Sequence, residues 1–125
     1  MTKLLITRAR LFAAVDETVT DDGSVLIDGD RIAWVGPTGQ LPPTASDGAE
    51  LLDVDGKFVM PGMTESHVHL SYSNAHPSQL DRQPIPIAML DAVDNARALL
   101  GFGFTSAISF GSAQGIDVPL RHAIN

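Results

Sequence analysis

The apolar spacing between Ile87 and Leu100 does most to limit the folds open to this chain. Met89, Ala92, Val93, Ala96, Leu99 and Leu100 recur three or four residues apart, so a helix gathers them into one stripe. Asp91, Asp94, Asn95 and Arg97 take the wetter positions, and Gly101 stands where a C-terminal cap belongs. A strand candidate lies on either side. Ahead of the helix the chain breaks at Pro61-Gly62, runs through Met63 to Leu70, and enters a polar loop from Ser71 to Pro84. Behind it come Phe104 to Phe110, rich in β-branched and aromatic residues, a loop from Gly111 to Gly115, and a second helix over Pro119 to Ile124. Strand, loop, helix, strand, loop, helix predicts parallel strands joined by right-handed crossovers. Two such units do not close a two-sided core. The expectation is an N-terminal piece of something larger. The alternative, a free-standing α+β domain of 125 residues, would leave an open parallel edge.

Residues 1–58 follow a different grammar and predict a small antiparallel sheet with no site of its own. Leu4 to Thr7 and Arg10 to Phe12 are short strand candidates, and Asp21-Asp22-Gly23-Ser24 has the composition of a turn. Val25–Ile27 and Arg31–Val35 flank Asp28-Gly29, a strong hairpin signal, with Trp34 expected to pack within the hairpin. Pro37 to Gly48 is a loop. Leu51 to Val54 is a further strand, turned by Asp55-Gly56 into Lys57 to Met60.

The charge balance narrows the partners. A formal charge of −7 argues against nucleic acid or an anionic membrane, both of which require a basic face. With no cysteine, disulfides and thiolate metal sites are excluded. Leu4-Leu5-Ile6 is too short for a signal-peptide core, and no stretch approaches membrane-spanning length, so a cytoplasmic location is the expectation.

Pro61-Gly-Met-Thr-Glu-Ser-His-Val-His-Leu70 carries the chemistry. On a strand, Glu65, His67 and His69 share one face, and two imidazoles spaced this way can converge on one ion. Neutral imidazole suits zinc, iron, cobalt, nickel or copper better than magnesium or calcium. Chance gives an H-x-H often enough in a chain with four histidines that the pair alone is a weak signal. A pair of satisfied histidines under a loop is the competing explanation. Position favours the metal, because the pair ends a candidate parallel strand and a polar loop follows.

These residues resemble the first barrel strand of the metal-dependent amidohydrolase superfamily, whose usual form is P-G-[LM]-x-D-x-H-x-H. Val25 to Gly36 is similar to the early family hairpin ending I-x-x-V-G. Val54 to Met60 resembles its D-x-x-G-x-x-V-x-P-G approach, and Ala96 to Thr105 its A-R-x-L-L-x-x-G-F-T run into the second strand. Gly103 to Ala107 and Gly115 to Asn125 are similar to the branch holding imidazolonepropionase-like and Xaa-Pro dipeptidase-like proteins, which also includes hydrolases of ureas and thiocarbamates. Two departures stand out. Members commonly continue G-F-T-T-V-R-D, but Ile108 and Ser109 occupy the Arg and Asp places, and Glu65 replaces the Asp before the histidines.

The resemblance implies an α/β fold, a (β/α)8 TIM barrel with a composite β-sandwich domain. Residues 1–58 would supply N-terminal sandwich strands, and residues 59–125 about the first two βα units. It further implies a metal-dependent hydrolase cleaving an amide, carbamate or urea C–N bond of a small molecule with metal-activated water. His67 and His69 would bind a divalent transition metal, foremost zinc, as one or two ions, with Glu65 behind them. The other ligands and a proton-handling Asp would come from the remainder of the barrel, so no catalytic residue lies within this chain, which would be inactive alone. Tyr72, Asn74 and His76, on the loop after the metal strand, are the substrate-binding candidates, with plain loop polarity as the alternative. His122 is expected to be a surface helix residue. A homo-oligomer is expected at full length. The rival functions are a non-catalytic scaffold on the same fold and a stand-alone metal-binding fragment.

Overall fold

In the computed structural model, which describes residues 2–72, 79 and 82–125, the chain divides into two units, Met1–Pro61 and Gly62–Asn125. The first is a five-stranded sheet made of β1 (Lys3–Phe12), β2 (Val19–Asp28), β3 (Arg31–Pro37), β4 (Ala49–Asp53) and β5 (Phe58–Val59). The strand order is β3-β2-β1-β4, and β5 also pairs with β1. β1, β2 and β3 form an antiparallel meander, with Gly29 and Asp30 turning between Asp28 and Arg31. β4 and β5 run parallel to β1, so the sheet is mixed and not antiparallel throughout. The reason is the connection after β3: its long loop carries the chain past β2 to the far side of β1, so β4 enters in β1's own direction.

The expected turn at Asp21 to Ser24 is instead the middle of β2. A Cβ on Gly23 would lie 2.4 Å from Leu11 Cβ, so glycine here makes room for the cross-strand leucine. The turn falls earlier, where Asp16 Oδ1 accepts the Thr18 N–H at 2.7 Å. The two short strands expected at the start are one, bulged where Arg8 adopts φ 54° and the pairing slips between Ile6 and Ala9. Two clusters hold this sheet together. Leu5, Leu26 and Ala45 pack with Trp34, and Ala9, Leu11 and Val25 pack with Val54 and Val59.

The second unit is β6 (Met63–Val68), α1 (Ile85–Gly101), β7 (Phe104–Ser109) and α2 (Asp117–Ile124), with β6 and β7 parallel. This strand–helix–strand–helix order is a mixed α/β arrangement, and no barrel closes among the described residues. Its core is small: Ala88 and Ala92 on α1 meet Ile116 and Leu120, with Leu70, Met89 and Val93 at the margin. Two alanines on the buried face let the second helix approach closely. Leu100, expected in the stripe, is 62% exposed. α1 ends one residue later than expected, since Gly101 is still helical and Gly103, at φ 89°, takes the left-handed place after Phe102. At the start of β6 a Cβ on Gly62 would fall 2.2 Å from Thr105 Oγ1, so only glycine admits this neighbour. Thr105 is the extra residue of β7 between the pairs Met63–Phe104 and Thr64–Ser106.

Candidate metal centre

β6 and β7 bring the chemistry to their C-terminal ends. Between the pairs Glu65–Ala107 and Val68–Ser109, β6 spends three residues against two of β7. This bulge holds Ser66 and His67, and bulges re-aim side chains next to sites. The His67 N–H at the bulge donates to Glu65 Oε1 at 3.1 Å. Glu65 thus braces the backbone beneath His67.

The two rings meet. His67 Nε2 and His69 Nε2 stand 3.2 Å apart, with ring centroids 5.1 Å apart and planes at 70°. His69 Nδ1 lies 2.8 Å from the Gly111 carbonyl oxygen, which can only accept, so Nδ1 carries the proton and donates. That leaves the lone pair of His69 on Nε2, facing His67. Two nitrogens that each bind one ion at ~2.0–2.1 Å in tetrahedral geometry stand roughly 3.3–3.4 Å from each other. The observed separation fits, and a ring nitrogen tied to a backbone carbonyl is the usual support of a metal-binding histidine. Without an ion, the same geometry makes one hydrogen bond, from His67 Nε2–H to His69 Nε2. Among the described residues no group of three or more His, Cys, Asp or Glu side chains could hold a metal, so the donor set here is two imidazoles.

Aromatic rings flank both. Phe110 stacks on His67 at 4.4 Å and 12°, and Tyr72 on His69 at 4.7 Å and 12°. Behind them the backbone is pinned from α1 and from the loop after β7. Asn95 Nδ2 donates to the carbonyls of Leu70 and Tyr72, at 2.7 and 3.1 Å. The fully buried Ser71 accepts the Ala113 N–H at 3.0 Å through its hydroxyl.

Of the expected site residues, His67, His69 and Tyr72 come together, and Glu65 lies beneath them. Asn74 and His76 fall outside the described residues. His122 is exposed on α2. Gly111 and Phe110 were missed, although a signal existed. In a parallel pair the C-terminal ends lie side by side, so the residues after β7 must neighbour those after β6.

No protein-family model matches the chain. Over 93 residues it is 39% identical to an N-substituted formamide deformylase of Arthrobacter pascens, covering 74% of this chain and 17% of that protein. Over 92 residues it is 29% identical to an imidazolonepropionase of Pseudomonas aeruginosa, covering 73% of this chain and 21% of that one. The fold superposes on a Xaa-Pro dipeptidase crystal structure with a TM-score of 0.80 at 26% identity, over 99% of this chain and 30% of the dipeptidase. This chain belongs to the amidohydrolase superfamily, a group that is typically metal-dependent. It is similar to deformylase, imidazolonepropionase and Xaa-Pro dipeptidase members, and spans less than a third of the length of each of these three.

Proposed function

We propose that this chain contributes two ligands of a divalent metal centre in a hydrolase that cleaves an amide, carbamate or urea C–N bond of a small molecule. The observation that carries this reading is the convergence of His67 Nε2 and His69 Nε2 to 3.2 Å, with His69 Nδ1 held by Gly111. The names of two relatives, a deformylase of N-substituted formamides and a Xaa-Pro dipeptidase, both denote C–N cleavage and support the reaction class. In this reading β6, α1, β7 and α2 are the first two βα units of a (β/α)8 barrel, and the five-stranded sheet is part of a β-sandwich.

His67 and His69 would hold the ion, and zinc suits two neutral imidazoles. A bound zinc supplies Lewis acidity and a water acidic enough to ionise near neutral pH. The chain's own residues prepare that chemistry. Gly111 keeps the His69 proton on Nδ1, Glu65 fixes the bulged peptide of His67, and Phe110 and Tyr72 shield one side of each ring from water. Tyr72, 40% exposed, is placed to touch substrate as well. The remaining ligands and the carboxylate that moves protons belong to residues outside this chain.

Replacing His67 and His69 together by Ala in the full-length protein is expected to remove bound metal and turnover at once. Metal content by atomic emission, with turnover of a formanilide-type substrate beside it, makes the test. Unchanged metal stoichiometry in the double variant would overturn the assignment.

A further inference from the structure

The loop between β7 and α2 holds a second polar cluster, centred on Asp117. Ser109 Oγ donates to Asp117 Oδ2 at 3.0 Å, and Ser112 Oγ donates to Asp117 Oδ1. The Asp117 N–H returns to Ser112 Oγ at 3.0 Å, closing the ring. Inside this ring sits Gly111, whose nitrogen and carbonyl oxygen each lie 3.4 Å from Ser109 Oγ. Its φ of 127° is a conformation that side-chain-bearing residues rarely adopt, and it sets the direction of the carbonyl.

Ser109 has one hydroxyl proton and two acceptors within reach, Asp117 Oδ2 at 3.0 Å and Gly111 O at 3.4 Å. An ionised carboxylate is the stronger acceptor and the nearer one, so it takes the proton. The hydrogen bond from Ser112 first, then those from Ser109 and backbone amides, together outweigh the opposing effect of burial and hold the Asp117 carboxyl below the ordinary carboxylate range, so it is ionised at neutral pH. Ser109 Oγ then accepts the Gly111 N–H, and the Gly111 carbonyl is left for His69 Nδ1, 2.8 Å away.

We propose that Asp117 is a positioning residue for His69: through Ser109 and Ser112 it holds the Gly111 carbonyl on Nδ1 and so keeps the His69 lone pair on Nε2, facing His67. The consequence for metal affinity rests on the metal-centre reading above, whereas the consequence for the tautomer does not.

Nitrogen-15 NMR of the histidine rings at pH 8, on the full chain without metal, reads the tautomer directly. Wild type is expected to show His69 protonated on Nδ1. Asp117→Ala should shift population to the Nε2–H form, and Ser109→Ala, which loses one hydroxyl and leaves the packing almost untouched, should shift it in the same direction by less. Asp117→Glu, which keeps the carboxylate, should restore part of the wild-type population. Zinc titration of the full-length protein in competition with a chelator should show affinity weakened about 10–100-fold in Asp117→Ala. If the full-length wild type binds no zinc while the tautomer still shifts, the metal reading falls and the positioning role stands. If Asp117→Ala fails to fold, Ser109→Ala carries the same test. An unchanged His69 tautomer in the folded variants would overturn the proposal.

Discussion

The two units spend their polar groups differently. In the sheet unit the charged pairs are on the surface: Arg8 reaches Asp53 at 2.8 Å and Asp55 at 2.7 Å, with every partner more than half exposed. Such pairs are screened by water and salt and contribute little to stability. In the β6–α1–β7–α2 unit most polar contacts of Ser71, Asn95, Ser109, Ser112 and Asp117 are buried or half-buried. Those of Ser71 and Asn95 hold the backbone on either side of the site, and those of Ser109 and Ser112 end on the Asp117 carboxylate. The sheet unit has the larger set of buried aliphatic side chains, while the helical unit rests mainly on Ala88, Ala92, Ile116 and Leu120. Hydrophobic burial is non-directional and builds a platform, whereas half-buried hydrogen bonds fix atoms in place. A site that must aim two nitrogens at one point needs the second kind.

Each unit carries its own optical probe, the single Trp34 in the sheet and the single Tyr72 beside His69, so the contrast can be broken experimentally. The largest effect is expected for Leu11→Ala. Leu11 is 3% exposed and packs with Ala9 and Val25, and removing such a side chain costs about 2–5 kcal/mol. Urea unfolding followed at Trp34 should show this loss, while the His67 and His69 ring signals stay where they are. Movement of those signals would mean the two units are not energetically separate.

A smaller loss, in the other unit, is expected for Gly62→Ala. The added methyl must displace Thr105 from the bulge of β7, a strain of about 1–3 kcal/mol. Because β7 leads through Ser109 to Gly111, the same change should disturb His69, and its ring signals should broaden or shift. A stability loss seen at Trp34 alone would contradict the division.

How far the sequence foretold these units differs in the same way. The strand expected to carry both histidines and the helix over 87–100 are local patterns, and the structure contains both, although the strand stops at Val68, before His69. Asp28-Gly29 marked the hairpin to within one residue, because the turn chemistry is written in adjacent positions. The mixed sheet was not legible, since β4 pairs with β1 across some 45 residues and no local pattern encodes the side on which a strand returns. Asp-Asp-Gly-Ser misled for a physical reason. Its glycine answers to Leu11 on another strand and not to a turn. The His pair was readable from spacing. Its support was not, for His69 and Gly111 are 42 positions apart. Ser109 stands where the family pattern has Asp, a departure that the structure accompanies with a carboxylate from Asp117.

The smallest effect is expected for Arg8→Ala together with acid. Asp53 has its pKa lowered, first by its hydrogen bond from Arg8 and next by the Asp55 N–H, with the Arg8 charge adding to both. A carboxyl whose folded pKa is depressed adds stability that is present above its unfolded pKa and lost as pH falls through the folded value. The window therefore lies below about pH 4, and at neutral pH the pair is at full strength. Removing Arg8 should flatten the acid limb of the Trp34 unfolding profile in that window, with the difference shrinking further in 1 M salt because the charges are exposed. Asp117 has a lowered pKa for another reason, hydrogen bonds led by the Ser112 hydroxyl, which salt screens little, so the acid response read at Tyr72 should survive the same salt. Equal salt sensitivity at both probes would erase the distinction between a sheet whose charges lie in solvent and a loop whose carboxylate is held from within.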